Sequence, residues 1–219
     1  PQTALLLADE VVKIDRLPPI NGQGFWRIDH NNWQKALEKS QILMITPVSN
    51  PSGWNLHPED RRWIFERCNK LGVKIIADEV YLDAFRNSKN YQPVHQAGGG
   101  HISINSLTKI YALGEIRFGW IISDPATIEN ARRIFMTFSG VMGAPTMRIG
   151  TSVLQSLREV EITMERYRQE NLPLLREVLE KFDINWNEPE FGVFGAFELP
   201  NNVTGQEFVD GPCKDNDLL

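Results

Sequence analysis

Three short apolar runs, separated by stretches with helical periodicity, constrain the fold of this chain most strongly. They are Gln41 to Thr46 (QILMIT), Val73 to Ala77 (VKIIA) and His101 to Asn105 (HISIN). Near-continuous apolar strands that alternate with helices are typical of a parallel sheet covered on both faces. We therefore predict an α/β fold with a three-layer domain around a mainly parallel sheet.

The helix between the first two runs has clear start and stop signals. Pro58 suits the first helical position, and Gly72 suits the C-terminal cap. Ile64, Cys68 and Leu71 recur at helical spacing and should face the sheet. A strand–helix–strand unit of this kind brings the carboxyl ends of its strands to one edge, where open α/β sheets bind ligands.

Further elements are predicted in the second half of the chain. Ile116 to Ser123 has the pattern of a fourth strand, and helices should follow Asp124 and Pro145. A charged amphipathic stretch runs from about Arg158 to Phe182. Pro173 lies inside that stretch and should either kink it or divide it.

The C-terminal quarter favours a second, smaller unit. Ile184 to Trp186 and Phe191 to Leu199 have the composition of strands. We therefore predict a large domain over residues 1–160 and the start of a smaller α+β domain over residues 161–219.

Composition and charge exclude several classes of function. The net charge is −5, with 42% hydrophobic and 23% charged residues, which is ordinary for a globular protein and favours neither nucleic acid nor a membrane surface. Four widely separated histidines have no metal-ligand spacing. Cys68 and Cys213 do not form a disulfide framework, and we expect neither a signal peptide nor a membrane-spanning run. We expect a cytoplasmic protein that acts on small molecules.

Lys109 follows the third apolar run and is the most informative polar residue. A lysine amine can form an imine with an aldehyde cofactor, although a single lysine is more often a solvated surface charge. Ser106 and Arg117 lie three residues before it and eight after it. Their hydroxyl, amide and guanidinium groups suit phosphate oxygens.

A second group of polar residues follows the first two runs. Asp78 ends a buried strand and would need a partner there; its carboxylate could keep a pyridine nitrogen protonated. Tyr81 and Asn50 offer a hydroxyl and an amide for a phenolic oxygen. Alone, Asp78 would be interpreted as a helix or turn cap, Tyr81 as a packed aromatic and Asn50 as a turn former. Glu79 should point away from Asp78 and have a structural role. The combined set favours pyridoxal 5'-phosphate chemistry.

The order of these motifs resembles that of the class I and II aminotransferases, which belong to the pyridoxal-phosphate-dependent fold type I superfamily. The resemblance runs from about Ala4 to Leu199 and rests on Asn50-Pro51-Ser52-Gly53, Asp78-Glu79-Val80-Tyr81, Ser106-Leu107-Thr108-Lys109 and Arg117-Phe118-Gly119-Trp120. It implies that Lys109 is the Schiff-base lysine, that Asp78 pairs with the pyridine nitrogen, that Tyr81 and Asn50 bind the phenolic oxygen, and that Ser106 and Arg117 hold the phosphate. It also implies a homodimer.

The same resemblance implies a function and leaves alternatives open. The implied reaction is amino-group transfer between an amino acid and a 2-oxo acid. A β-lyase on the same fold and a non-catalytic sensor or scaffold domain are the alternatives. The family's N-terminal phosphate-binding turn and ring-stacking aromatic have no counterpart in the sequence. Glu207 to Leu219 resembles the start of the segment that leads to the substrate-carboxylate arginine, so we expect an internal fragment.

Overall fold

The computed structural model describes residues 2–19, 24–192, 194–199 and 203–213. The strands are β1 (Phe25–Trp26), β2 (Ile42–Ile45), β3 (Asn55–Leu56), β4 (Lys74–Asp78), β5 (Ile102–Ser106) and β6 (Gly119–Ile122). The helices are α1 (Gln2–Leu7), α2 (His30–Leu37), α3 (Pro58–Leu71), α4 (Pro125–Phe138), α5 (Ala144–Gln155), α6 (Leu157–Lys181) and α7 (Gly205–Phe208). Short 3-10 helices cover Leu82–Phe85, Val94–Ala97 and Gly114–Ile116, and a π-helical turn covers Val209–Cys213.

The main sheet has the strand order β2-β4-β5-β6. The first three strands are parallel, and β6 is antiparallel to β5. The predicted α/β fold with a mainly parallel sheet is therefore confirmed. The fourth strand is shorter than predicted, because Ile116 ends a 3-10 turn and Arg117 has a left-handed backbone with φ of 52°. The chain thus turns immediately before β6 begins.

One face of the sheet packs against α2 and α3. Its core includes Ile75 of β4 with Ile64 and Cys68 of α3, all at most 1% exposed. α3 begins at Pro58 as predicted and ends at Gly72, whose φ of 72° is the left-handed conformation of a C-terminal cap. The expectation that Leu71 faces the sheet is wrong. Leu71 is 38% exposed, because the helix ends there and the chain turns away.

The opposite face of the sheet is more exposed within the described residues. Ile42 and Met44 alternate with the buried positions of β2 and are 54% and 55% exposed. α4 also has an open apolar surface, with Phe138 84% exposed. The side that carries α2 and α3 therefore supplies most of the described core around β2 and β4.

The long helix α6 runs without interruption through Pro173, so the alternative that this proline divides the helix is wrong. The predicted boundary between residues 1–160 and 161–219 falls inside α6 and stays a prediction. Residues 193, 200–202 and 214–219 of the second range, and 1 and 20–23 of the first, lie outside the described residues. None of the helices in the described ranges has the length and hydropathy that a membrane crossing requires.

The two predicted C-terminal strands are not formed. Residues 184–186 have no strand assignment, and neither have the described residues of 191–199. Among the described residues, one backbone hydrogen bond, from Glu198 N to Asn185 O at 3.2 Å, joins the two segments. A ladder needs a series of such bonds. The chain just after the first segment is instead held by the Trp54 indole, which donates to the carbonyl oxygen of Asn187 at 2.7 Å.

Candidate cofactor site

Two of the predicted site residues are in direct contact. Asn50 lies in the turn after β2, which is closed by backbone hydrogen bonds from Gly53 to Ser49 at 2.7 Å and from Ser49 to Trp54 at 2.8 Å. Tyr81 follows β4 and is the N-cap of the 3-10 helix Leu82–Phe85. The Asn50 amide donates to the Tyr81 hydroxyl at 3.3 Å. An amide and a hydroxyl thus meet at the carboxyl edge of the sheet.

Asp78 is the last residue of β4, and its side chain is exposed. Its Oδ1 accepts only a long hydrogen bond, 3.3 Å, from the Val80 amide among the described residues. The expectation that Asp78 lies in a buried position is wrong, since β4 carries it to the open edge. Asp78 is in register with Ile104 of β5, and β4 lies between β2 and β5 in the sheet. Its exposed carboxylate is therefore accessible to a ligand at the edge where these strands end.

Ser106 is the last residue of β5, and Arg117 lies two residues before the start of β6. Ser106 ends β5 and is in register with Gly119. The next rung is a backbone hydrogen bond from Leu107 N to Phe118 O at 3.0 Å. Arg117 immediately precedes Phe118 and is exposed. The antiparallel pairing therefore brings a hydroxyl and a guanidinium to the same end of two neighbouring strands.

Lys109 lies in the loop between these two strands. Backbone bonds of 3.0 Å, from Leu113 to Leu107 and from Ala112 to Lys109, close the loop. The neighbouring Tyr111 is 1% exposed, whereas Lys109 is exposed. Across the described ranges its amine has no hydrogen bond and no ion pair. The loop is thus anchored by its apolar neighbours, and the amine is accessible to an aldehyde.

Glu79 lies in the interior, unlike its neighbour Asp78. It is 3% exposed, and its Oε1 accepts from the Val94 amide at 2.7 Å. Burial raises the pKa of its carboxyl to about 7. Because neighbouring residues at a strand end point in opposite directions, the structural role predicted for Glu79 agrees with this position.

The segment that contains Phe194 covers the Asn50 turn and was missed by sequence reasoning. The Phe194 ring meets the Tyr81 ring edge-on at a centroid distance of 4.7 Å. Gly53 has φ of 74°, and a Cβ there would lie 2.6 Å from the Phe194 carbonyl oxygen. Only glycine fits this approach. The sequence around Phe194 resembles a strand, and no local signal reveals that it packs on a turn far away in the chain.

The chemical groups at this edge fit pyridoxal phosphate. They comprise a carboxylate for the ring nitrogen, an amide and a hydroxyl for the phenolic oxygen, a hydroxyl and a guanidinium for the phosphate, and an accessible amine. The residues are Asp78, Asn50, Tyr81, Ser106, Arg117 and Lys109. Their binding roles remain predictions. Over the described residues, no group of three or more histidine, cysteine, aspartate or glutamate side chains could hold a metal ion.

The sequence matches the family described as aminotransferase class I and II over residues 9–211. The chain belongs to this family. The predicted resemblance is confirmed, and the cofactor of the family is pyridoxal 5'-phosphate.

Individual relatives agree with this assignment. The chain is 21% identical to an aspartate aminotransferase of Thermococcus kodakarensis over 213 residues, which cover 89% of this chain and 58% of the relative. Its fold is similar to that of a PLP-dependent aminotransferase from Streptococcus suis, with a TM-score of 0.78 and 20% identity over 91% of this chain and 52% of the other. A PLP-bound C-S lyase from Staphylococcus hominis gives a TM-score of 0.64 at 19% identity, over 78% and 45% of the two chains. The chain thus spans about half the length of the proteins it matches.

Proposed function

We propose that the whole protein transfers an amino group between an amino acid and a 2-oxo acid with pyridoxal phosphate. The observation that carries this proposal is the Asn50–Tyr81 contact of 3.3 Å at the edge where β4 ends in Asp78. Membership of the aminotransferase class I and II family supports it. The amino donor and acceptor are left open, because no described residue is assigned to a substrate carboxylate.

Lys109 is the proposed catalytic residue. Bound pyridoxal phosphate supplies an electrophilic aldehyde and a ring that accepts electrons. Lys109 would be the residue that holds the cofactor, because its amine could form an imine with the aldehyde and exchange with an amino acid's amine. Once free, Lys109 moves a proton to and from the substrate carbon as general base and acid. Its exposure in the loop between β5 and β6 suits both roles, because the amine is accessible.

The other site residues bind and orient the cofactor. The Asp78 carboxylate would stabilise a protonated ring nitrogen through its charge. Asn50 and Tyr81 would donate hydrogen bonds to the phenolic oxygen and stabilise its negative charge. Ser106 and Arg117 would hold the phosphate, for which a hydroxyl and a planar guanidinium are suited.

The proposal is tested by Lys109→Ala in the full protein, with Lys70→Ala as the matched control. Lys70 is also an exposed lysine but lies in the last turn of α3. We expect Lys109→Ala to lower the rate of conversion of a 2-oxo acid to its amino acid by at least about a thousandfold, because proton transfer is lost. Lys70→Ala should retain the wild-type rate. Equal rates for all three proteins would contradict the role of Lys109.

A β-lyase is the second candidate, and the structural likeness to the Staphylococcus hominis C-S lyase favours it. The predicted residues bind the cofactor in either case and do not decide which bond breaks. A thioether amino acid given without a 2-oxo acid distinguishes the two. Pyruvate and ammonia in equal amounts would favour the lyase, whereas transfer requires an acceptor and releases no ammonia.

We also propose that the protein is a cytoplasmic homodimer. The sequence has two cysteines and no disulfide framework, which suits a reducing compartment. α4 offers an exposed apolar surface for a second copy, with Ile134 61% and Phe138 84% exposed. Light scattering on the full protein should give twice the mass of one chain. The mass of a single chain would contradict the dimer.

A further inference from the structure

A buried carboxylate behind the candidate site has no role in the proposed chemistry. Asp83 lies in the 3-10 helix after Tyr81 and is 5% exposed. Its Oδ2 accepts from the Tyr111 hydroxyl at 2.6 Å and from the Asn105 amide at 2.8 Å. The Tyr91 hydroxyl donates to Oδ1 at 3.1 Å. A carboxylate with three side-chain donors is well satisfied in the interior and holds its partners firmly.

One of these donors reaches the predicted phosphate residue directly. Asn105 immediately precedes Ser106 and is 8% exposed. While its amide nitrogen donates to Asp83, its oxygen accepts from the Ser106 backbone amide at 2.7 Å. Two hydrogen bonds therefore connect Asp83 to the main chain at Ser106. Asp83 itself follows Tyr81 by two residues, so the same carboxylate connects the ends of β4 and β5.

A second donor anchors the loop of the proposed catalytic lysine. Tyr111 follows Lys109 by two residues and is 1% exposed. Its ring belongs to the apolar cluster that includes Leu107 and Phe118. Its hydroxyl makes the shortest of the hydrogen bonds to Asp83, at 2.6 Å. The Asp83 carboxylate therefore joins the Lys109 loop to the segment after β4 by a hydrogen bond, in addition to the apolar contacts of that cluster.

The charges around Asp83 favour this arrangement. Burial raises the pKa of the Tyr91 and Tyr111 phenols, and the negative charge of Asp83 raises it further, so both remain neutral donors. Arg86 lies 3.0 Å from Asp83 and 2.8 Å from Glu161 on α6. One cation therefore links two carboxylates and attaches α6 to the same cluster.

We propose that Asp83 is a positioning residue that fixes Tyr81, Ser106 and Lys109 relative to one another for cofactor binding. This inference rests on the proposed function, because it assigns Asp83 a role toward the same cofactor. Asp83 acts through its partners and does not touch the cofactor. Its carboxylate is the common acceptor for stretches that are far apart in the chain.

The substitution Asp83→Asn removes the charge and replaces one acceptor oxygen by a donor. The amide oxygen can still accept from Tyr111 and Asn105, but those bonds lose their charge-assisted strength. The Tyr91 hydroxyl loses its acceptor, and Arg86 loses its charge partner. We expect the Lys109 loop and the Ser106 backbone to shift as a result. Tyr111→Phe removes only one hydroxyl and gives a milder version of the same change.

Asp60→Asn is the matched control. Asp60 is also a fully buried carboxylate with several donors, from Arg27 at 2.6 Å and His30 at 2.9 Å. It lies on α3, and its partners precede β2. Its loss should destabilise the fold without changing the strand ends that carry the predicted site residues.

The experiment uses the full protein with added pyridoxal phosphate. Three quantities are measured for the wild type and each variant: the dissociation constant of the cofactor, the pH midpoint of its visible absorption band, and the free energy of unfolding. We expect Asp83→Asn to weaken cofactor binding by about tenfold or more and to shift the midpoint by about half a pH unit or more, as loss of a supporting residue does. Tyr111→Phe should change both in the same sense, by less. Asp60→Asn should lower only the free energy of unfolding.

Two results would overturn the inference. One is unchanged cofactor affinity and midpoint in Tyr111→Phe and in any folded Asp83→Asn protein. The other is that Asp60→Asn reproduces their changes at an equal loss of stability. If the wild type itself binds no pyridoxal phosphate, the proposed function fails first and the role of Asp83 fails with it. The wild-type titration therefore separates the two failures.

Discussion

Strand β4 has two different environments within five residues. Ile75 near its start is fully buried and packs against Ile64 and Cys68 of α3. Asp78 at its end is exposed and lies three residues before Tyr81. The first environment is a packed, dry interior, and the second is an open edge with polar groups. One strand thus contributes to stability at one end and to ligand chemistry at the other, so substitutions at the two ends should have separate effects.

The largest expected effect is on the rate of amino transfer, from a substitution at the exposed end of β4. Asp78→Ala removes the proposed partner of the ring nitrogen, and we expect the amino-transfer rate to fall about a thousandfold, equivalent to about 4 kcal/mol in the barrier. The free energy of unfolding without cofactor should change by less than about 0.5 kcal/mol, because the side chain is exposed. Steady-state kinetics and denaturant unfolding measure the two quantities. A stable variant with the wild-type rate would contradict the proposed role of Asp78 in the chemistry.

The next effect is on stability at the buried end. Ile75→Ala should lower the free energy of unfolding by about 3 kcal/mol, because it leaves a cavity beneath α3. The rate per folded, cofactor-bound molecule should be unchanged. Ile42→Ala is the control, since that side chain is 54% exposed, and it should cost much less. If urea unfolding showed similar losses of the free energy of unfolding for both variants, the buried residues around Ile75 would not be the main source of stability.

A somewhat smaller effect is expected on the pH dependence of stability, from Glu79, the buried neighbour of Asp78. Burial raises the pKa of Glu79 from 4.5 to about 7, so between these pH values the folded state binds more protons than the unfolded state. The free energy of unfolding should therefore fall as the pH rises from about 4.5 to about 7, by up to about 3 kcal/mol from this group. Glu79→Gln, which keeps an acceptor for Val94, should remove this part of the pH dependence. Identical slopes for both proteins in unfolding at pH 5 and pH 7.5 would contradict it.

The packed part of the molecule was largely predictable from the sequence. The apolar runs that form β2, β4 and β5 and the Pro58 and Gly72 signals of α3 are local, so each can be interpreted without the rest of the fold. The family motifs are equally local. The predicted strands over 184–186 and 191–199 failed because strand formation depends on a pairing partner, and composition alone does not supply one.

The hydrogen bonds to Asp83 that support the site were harder to predict from the sequence. The donors to Asp83 come from Tyr91, Asn105 and Tyr111, which are separated by eight to 28 residues from it. No spacing rule joins them, because tertiary packing alone brings them together. The exposure of Asp78 was missed for a related reason: the sequence shows where a strand ends, but not which side of its last residue stays open.

Chemical labelling of the full protein can identify the lysine that holds the cofactor, which we propose is Lys109. The full protein is mixed with pyridoxal phosphate, reduced with borohydride to fix any imine, digested and analysed by mass spectrometry. The account predicts one reduced cofactor adduct, on the peptide that contains Lys109, and none in Lys109→Ala. An adduct on a different lysine, or no adduct in the wild type under conditions where the protein is folded, would contradict it.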